Sequence, residues 1–286
     1  VAYDAGSPPD SIARIYSEPL SKELGAVVVI DNKPGASGNL ASAEVARAPG
    51  DGYTFLYNVA SAFTINPFVY NHMGFDPVKD LEPVATTMIQ GYAIVANNNF
   101  KVNTFADLLK EAKATPDKYS YASWGVGSFS HVFMELVLGK TKGKMLHVPY
   151  KTAPLNAILA GESDILVEPM ASASQFIASG RVKTLAYTGD KRHPSMPNVP
   201  TVTETLPGDT LYSWHGVWAP TSTPKDIQNR LNAAMNKVAK DPAVVAKIKA
   251  LNVDQLTATP DEMKKMITKE AAVFGPLLKQ LNIKLD

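Results

Sequence analysis

Short runs of β-branched and aromatic residues alternate along the chain with stretches whose apolar positions recur every three or four residues. The pattern predicts strands at 27–30, 54–57, 119–122, 146–148, 165–167 and 184–188. Several of these runs are apolar at consecutive positions, as in strands covered on both faces. Between them, 40–48, 129–138 and 171–178 read as helices. Such alternation predicts an α/β architecture with largely parallel sheets.

The last third changes character. Apolar Ile227, Leu231, Ala234, Met235 and Val238 follow Thr223-Pro224-Lys225-Asp226. Thr223 is expected as an N-cap, with Pro224 in the first helical position. A final helix from about Asp261 carries Met263, Ile267, Phe274, Leu277 and Leu281, and Gly275-Pro276 is expected to kink it. Two extended stretches, 84–97 and 213–220, stand apart from the alternation. If the chain crosses to another domain at the first and returns at the second, the middle is an inserted domain. Lobe 1 is then 1–97 with 218–286, lobe 2 is 98–217, and a ligand would lie in the cleft between them.

A length of 286 residues suits two domains, and 45% hydrophobic with 19% charged residues is ordinary for a globular protein. Twenty-eight basic against 27 acidic residues leave a net charge of +1 with no long same-sign block, so no nucleic-acid partner is expected. The chain has no cysteine, which excludes disulfides and thiolate chemistry. The longest apolar run, 26–30, is too short to span a bilayer. The chain opens without an initiator Met, as a product whose signal peptide has been removed would.

Enzyme motifs are missing. There is no G-x-S-x-G, H-E-x-x-H or G-x-x-x-x-G-K-[ST], and Ser130 stands where a dinucleotide fingerprint begun by Gly125-Val126-Gly127 needs its third Gly. His72, His131, His147, His193 and His215 are scattered, so no metal site is expected. What recurs is a small-residue turn leading into a helix, at 6–10, 34–39 and 125–130. Unpaired N–H groups at helix starts suit a carboxylate or phosphate. Two readings stay open at this point: ordinary capped turns, or anion sites.

The stretch PGASGNLASAEVARAPGDGYTFLY resembles the hallmark of the Bug family, the extracytoplasmic receptors of tripartite tricarboxylate transporters. INPFVY, FDPVKDLEPV, GVGSFSH, HVPYK, DILVEPMASASQFIASG, DKRHPSMPNVPTVTE and WHGVWAPTSTP continue the resemblance in the family's order. It implies a two-lobed type II periplasmic-binding-protein fold with two hinge crossings. It also implies a periplasmic location, a small carboxylate ligand, membrane permease subunits as partners, no cofactor and no turnover; a monomer is expected. An enzyme on the same scaffold, or a ligand-sensing module, is the alternative.

Carried over by position, the ligand-binding candidates are Gly6 and Ser7, Ala60 and Ser61, then Gly127, Ser128, Ser130 and His131. Asp10 and Asn39 are expected to brace their turns. Glu168 matches a position where the family often has Asp; ionised and buried it would repel a dianion, so an amine or a backbone partner is expected there. Phe63, Trp124, Phe129 and Met170 are read as an apolar slot for an aromatic or long aliphatic acid. The sequence departs from the family pattern where Ala5-Gly6-Ser7 replaces a Pro-Gly-Gly turn, at Trp124, where a small residue is usual, and after Tyr150-Lys151, where the chain is about two residues shorter. Val1–Tyr3 match the end of a strand that the family begins further upstream.

Overall fold

The computed structural model describes all residues except Lys151, Asp209 and Asp286. Its strands, in chain order, are β1 Leu56–Val59, β2 Leu81–Gln90, β3 Tyr92–Ala96, β4 Ser120–Ser123, β5 Leu146–Pro149, β6 Ile165–Pro169, β7 Lys183–Tyr187, β8 Ser213–Pro220 and β9 Asp254–Gln255. The chain divides into two compact α/β units, Val1–Ile89 with Trp214–Asp286, and Gln90–Ser213. It passes between them inside β2 and returns at the start of β8.

The first unit holds a four-stranded sheet in the order β1-β8-β2-β9, with β1 antiparallel to β8 and β2 antiparallel to β9. Phe63, Trp214, Trp218 and Met263 build its core. The second unit holds a five-stranded sheet in the order β5-β4-β6-β3-β7. Only β5, β4 and β6 run parallel; β3 is antiparallel to both β6 and β7. The second sheet is therefore mixed, and the assigned pairs of the first are antiparallel, so the expectation of largely parallel sheets does not hold. Consecutive apolar residues report burial on both faces of a strand, and that burial is indifferent to strand direction.

Residues 27–30 form no ladder strand, although their composition predicts one. Val27 is 86% exposed and Val29 79%, and among the described residues no backbone hydrogen bond joins 27–30 to a strand. A strand needs a neighbour to satisfy its backbone, and residues 1–3 bond to 31–33 beyond this segment. The helix predicted to be capped by Thr223 starts one residue later, at Lys225, with Pro224 in the cap position at ψ 143°. The Thr223 hydroxyl is buried without a hydrogen-bond partner. The last helix, Pro260–Leu281, is closed at its start by a capping box between Thr259 and Glu262 and continues through Pro276.

Candidate functional site

In the second unit β4 ends at Ser123, and the chain turns through Gly125 at φ 102° and Gly127 at φ 78° before the helix Phe129–Thr141. These left-handed angles favour glycine. Ser128 is the N-cap, its Oγ accepting from the His131 amide and donating to the Gly125 carbonyl at 2.7 Å. Ser130 Oγ accepts from the Trp124 amide at 3.1 Å and lies 3.1 Å from Ser128 Oγ. No Lys or Arg stands between 119 and 139, so recognition here would run through amides, hydroxyls and the helix dipole rather than an ion pair.

His131 serves the turn itself. Its Nδ1 accepts from the Gly127 amide at 3.0 Å, which fixes the neutral ring's proton on Nε2. The ring stacks on His147 with centroids 3.9 Å apart. Burial, and secondarily His147, push His131 down to about 3, and burial pushes His147 down to about 4. Both rings are therefore uncharged at neutral pH. His147 Nε2 lies 2.7 Å from Ser123 Oγ, tying β5 to the end of β4.

Glu168, on β6, is buried and bound to side chains rather than to an amine or the backbone. Trp124 Nε1 donates to its Oε2 at 2.8 Å, and the Ser172 hydroxyl donates to its Oε1. Burial pushes its carboxyl up to about 7, against the pull of the Ser172 and Trp124 hydrogen bonds. A carboxyl poised there spends much of its time protonated near neutrality, which softens repulsion of a bound anion.

The four residues read as an apolar slot divide. Trp124 is 41% exposed. Phe129 stacks on Tyr92, with centroids 4.1 Å apart, and Met170 is wholly buried in the unit's core. Phe63 belongs to the first unit, where its ring is stacked 4.1 Å from Trp218 and crossed by Phe75. Of the four, only Trp124 is exposed.

In the first unit Gly6 turns at φ 81°, and Ser7 caps the helix Pro8–Leu24 by accepting from the Asp10 amide. Asp10 braces this turn: its carboxylate accepts from Gly6 N at 2.8 Å, from Arg14 Nε and from Asn32 Nδ2. Burial raises its pKa, but these hydrogen bonds outweigh that and hold it at about 2. Ala60 is buried, its amide bonded to the Trp214 carbonyl, and Ser61 starts the short helix Ser61–Thr64. The 34–39 turn is closed on itself. Gly35, Ala36, Ser37 and Gly38 all have positive φ, and Asn66 Nδ2 donates to both the Ser37 carbonyl and Asn39 Oδ1. A Cβ on Gly38 would stand 2.8 Å from the Asn58 amide group. This turn reads as a brace.

Sequence reasoning singled out neither Ser123, His147 nor Ser172, which support the 124–131 turn and Glu168. HVPYK contains His147 and DILVEPMASASQFIASG contains Ser172, whereas no motif marks Ser123.

The receptor family of tripartite tricarboxylate transporters, TctC, matches residues 12–283. A protein encoded between tcbD and tcbE in Pseudomonas sp. (strain P51) is 34% identical across 97% of this chain and 84% of its own length. Among solved structures, a Rhodopseudomonas palustris protein with adipate, Rpa4515, superposes with a TM-score of 0.90 at 29% identity, covering 100% of this chain and 97% of that one. MatC of the same organism, with bound malate, gives 0.86 at 26% identity over 97% of each chain. The periplasmic binding protein BugD gives 0.86 at 31% identity, over 99% of this chain and 96% of that one. With the family matched over nearly its whole length, the chain belongs to the TctC or Bug family of periplasmic solute-binding receptors.

Proposed function

We propose that this receptor captures a small dicarboxylate with an apolar middle and presents it to the membrane permease subunits of a tripartite transporter. The observation that carries the reading is the 124–131 turn: a capped helix start with two hydroxyls in a stretch, 119–139, that holds no Lys or Arg, beside the exposed Trp124. Amides and hydroxyls supply the donors a carboxylate needs, and the indole supplies an apolar face. Adipate, held by one structural neighbour, is an acid of this class, and malate, held by another, is a dicarboxylate with a hydroxylated middle. Gly6, Ser7, Ala60 and Ser61 are proposed as further ligand-binding residues.

The competing reading is catalysis, and Ser123 with His147 is the pair that invites it. Ser123 is fully buried and also bonded to Gly125, so it is poorly placed as a nucleophile. Incubating purified protein with adipate, malate and terephthalate and recovering each by mass spectrometry tests the distinction. Unaltered acid, bound in proportion to protein, is expected; conversion over many turnovers would replace the receptor with an enzyme.

A further inference from the structure

The chain returns to the first unit at Trp214, the second residue of β8. Val59 pairs with His215 in the β1–β8 ladder, and the Ala60 amide adds the next bond, to the Trp214 carbonyl at 2.9 Å. The Trp214 indole is wholly buried, and its Nε1 donates to Glu270 Oε1 at 2.6 Å. Glu270 lies in the last helix, Pro260–Leu281, which packs on the short helix Ser61–Thr64. A hydrogen-bonded path thus runs from the last helix, through one residue of the crossing strand, to the turn that carries Ala60 and Ser61.

The surroundings of Glu270 are poor in charge. Trp214 sits in a core with Phe63, Trp218 and Met263. The helices Ser61–Thr64 and Asn66–Val69, both packed on the last helix, contain no charged residue. His215 follows Trp214 on β8 and so points to the opposite face of the strand; burial pushes it down to about 3, which leaves it uncharged at neutral pH. The Tyr3 phenol, bonded to the Ser61 hydroxyl, is kept neutral by burial. Lys269, the neighbour of Glu270 in the helix, pulls its carboxyl down, as does the Trp214 bond, but burial outweighs both and pushes it up to about 7. An amide in this place would accept the indole bond without a charge to desolvate. What the acid adds is a proton that can come and go.

We propose that Glu270 is a positioning residue for carboxylate binding: by holding the Trp214 indole it fixes the residue of β8 that in turn holds the Ala60–Ser61 turn. The proposal rests on the reading that Ala60 and Ser61 meet the ligand, and Glu270 acts through Trp214 rather than by touching that ligand. A proton linkage follows from the same arrangement. An ionised Glu270 behind the turn repels a bound anion, whereas the neutral acid does not. Binding therefore draws a proton onto Glu270, and affinity falls as pH rises through neutrality.

The test compares Glu270→Gln, which keeps an acceptor for the indole, with Glu270→Leu, which removes it, and with Trp214→Phe, which removes the N–H and keeps an aromatic ring. In the unliganded proteins Glu270→Leu and Trp214→Phe are expected to speed amide exchange at 60–64 about 10-fold or more relative to 225–238, while Glu270→Gln leaves it unchanged. Adipate binding at pH 6 should weaken about 10-fold or more in the same two variants and stay within about 3-fold of wild type in Glu270→Gln. At pH 8, where wild-type Glu270 is ionised, Glu270→Gln should bind adipate about 3- to 10-fold more tightly than wild type, a comparison that leaves Glu168 the same on both sides. Should Glu270→Leu fail to fold, Trp214→Phe carries the comparison. Exchange at 60–64 that is the same in every variant overturns the proposal whether or not adipate binds, and so does a Glu270→Gln protein that behaves like Trp214→Phe. Faster exchange at 60–64 with no adipate bound even by wild type would strike the dicarboxylate reading and uphold the Glu270 anchor.

Discussion

Trp124 and Glu168, 44 residues apart, are joined by a hydrogen bond of 2.8 Å from the indole Nε1 to a carboxylate oxygen. The bond couples the exposed tryptophan of the 124–131 turn to a buried acid whose pKa is pushed up to about 7 by burial. In the unfolded chain this carboxyl titrates at its ordinary 4.5. The folded state therefore binds more protons between those values, and Glu168's contribution to stability falls as pH rises through that window. Glu168→Gln removes the titration. Its stability relative to wild type is expected to improve by up to about 3 kcal/mol between pH 4.5 and 7.5. Comparing the two proteins also cancels the opposite slope from the buried, neutral histidines. A difference that stays constant with pH would mean that Glu168 does not titrate in this range.

Ser128 and Ser130 are the hydroxyls proposed to meet the carboxylate. Ser128→Ala should cost about 1 kcal/mol of stability through the lost N-cap. Each substitution should weaken adipate binding roughly 10- to 100-fold, the worth of a hydrogen bond to a charged group. Calorimetric titration of the folded variants checks this, and wild-type affinity in both would move the anion site elsewhere.

Trp124 should set ligand shape. Trp124→Ala is expected to weaken terephthalate about 2- to 10-fold more than adipate, because only an aromatic ligand loses a stacking partner. Competition binding measures the ratio; equal losses would assign Trp124 a purely structural part.

Phe63, by contrast, should act on folding. Its ring lies between Trp218 and Phe75, so Phe63→Ala should destabilise by roughly 3–5 kcal/mol. Chemical denaturation reads this directly. A loss under about 1 kcal/mol would show that the site repacks.

How far the sequence could be read depended on the range of the interaction. β5, β6 and β7 were predicted to within about two residues because composition and periodicity are local signals. Ser128 likewise sits at a helix start that local chemistry marks. Residues 27–30 show the limit: Val-Val-Val-Ile is as strand-like as β6, yet a strand also requires a partner, and pairing is not a local property. Strand direction was illegible for the same reason. The Trp124–Glu168 bond and the His131–His147 stack join residues on different elements, and only the folded sheet brings them together. Phe63 and Trp124 look alike as aromatic residues near small-residue turns. Burial separates them, and burial is a property of the fold.

This receptor is proposed to recognise carboxylates through the donors of its turns. Titrating adipate and its diamide, adipamide, into the purified protein by isothermal calorimetry tests that claim most directly, because the two share a carbon skeleton and differ in charge and in acceptor oxygens. Saturable one-site binding of adipate at least about 100-fold tighter than adipamide is expected. Equal affinity for the two, or binding of adipamide alone, would contradict it.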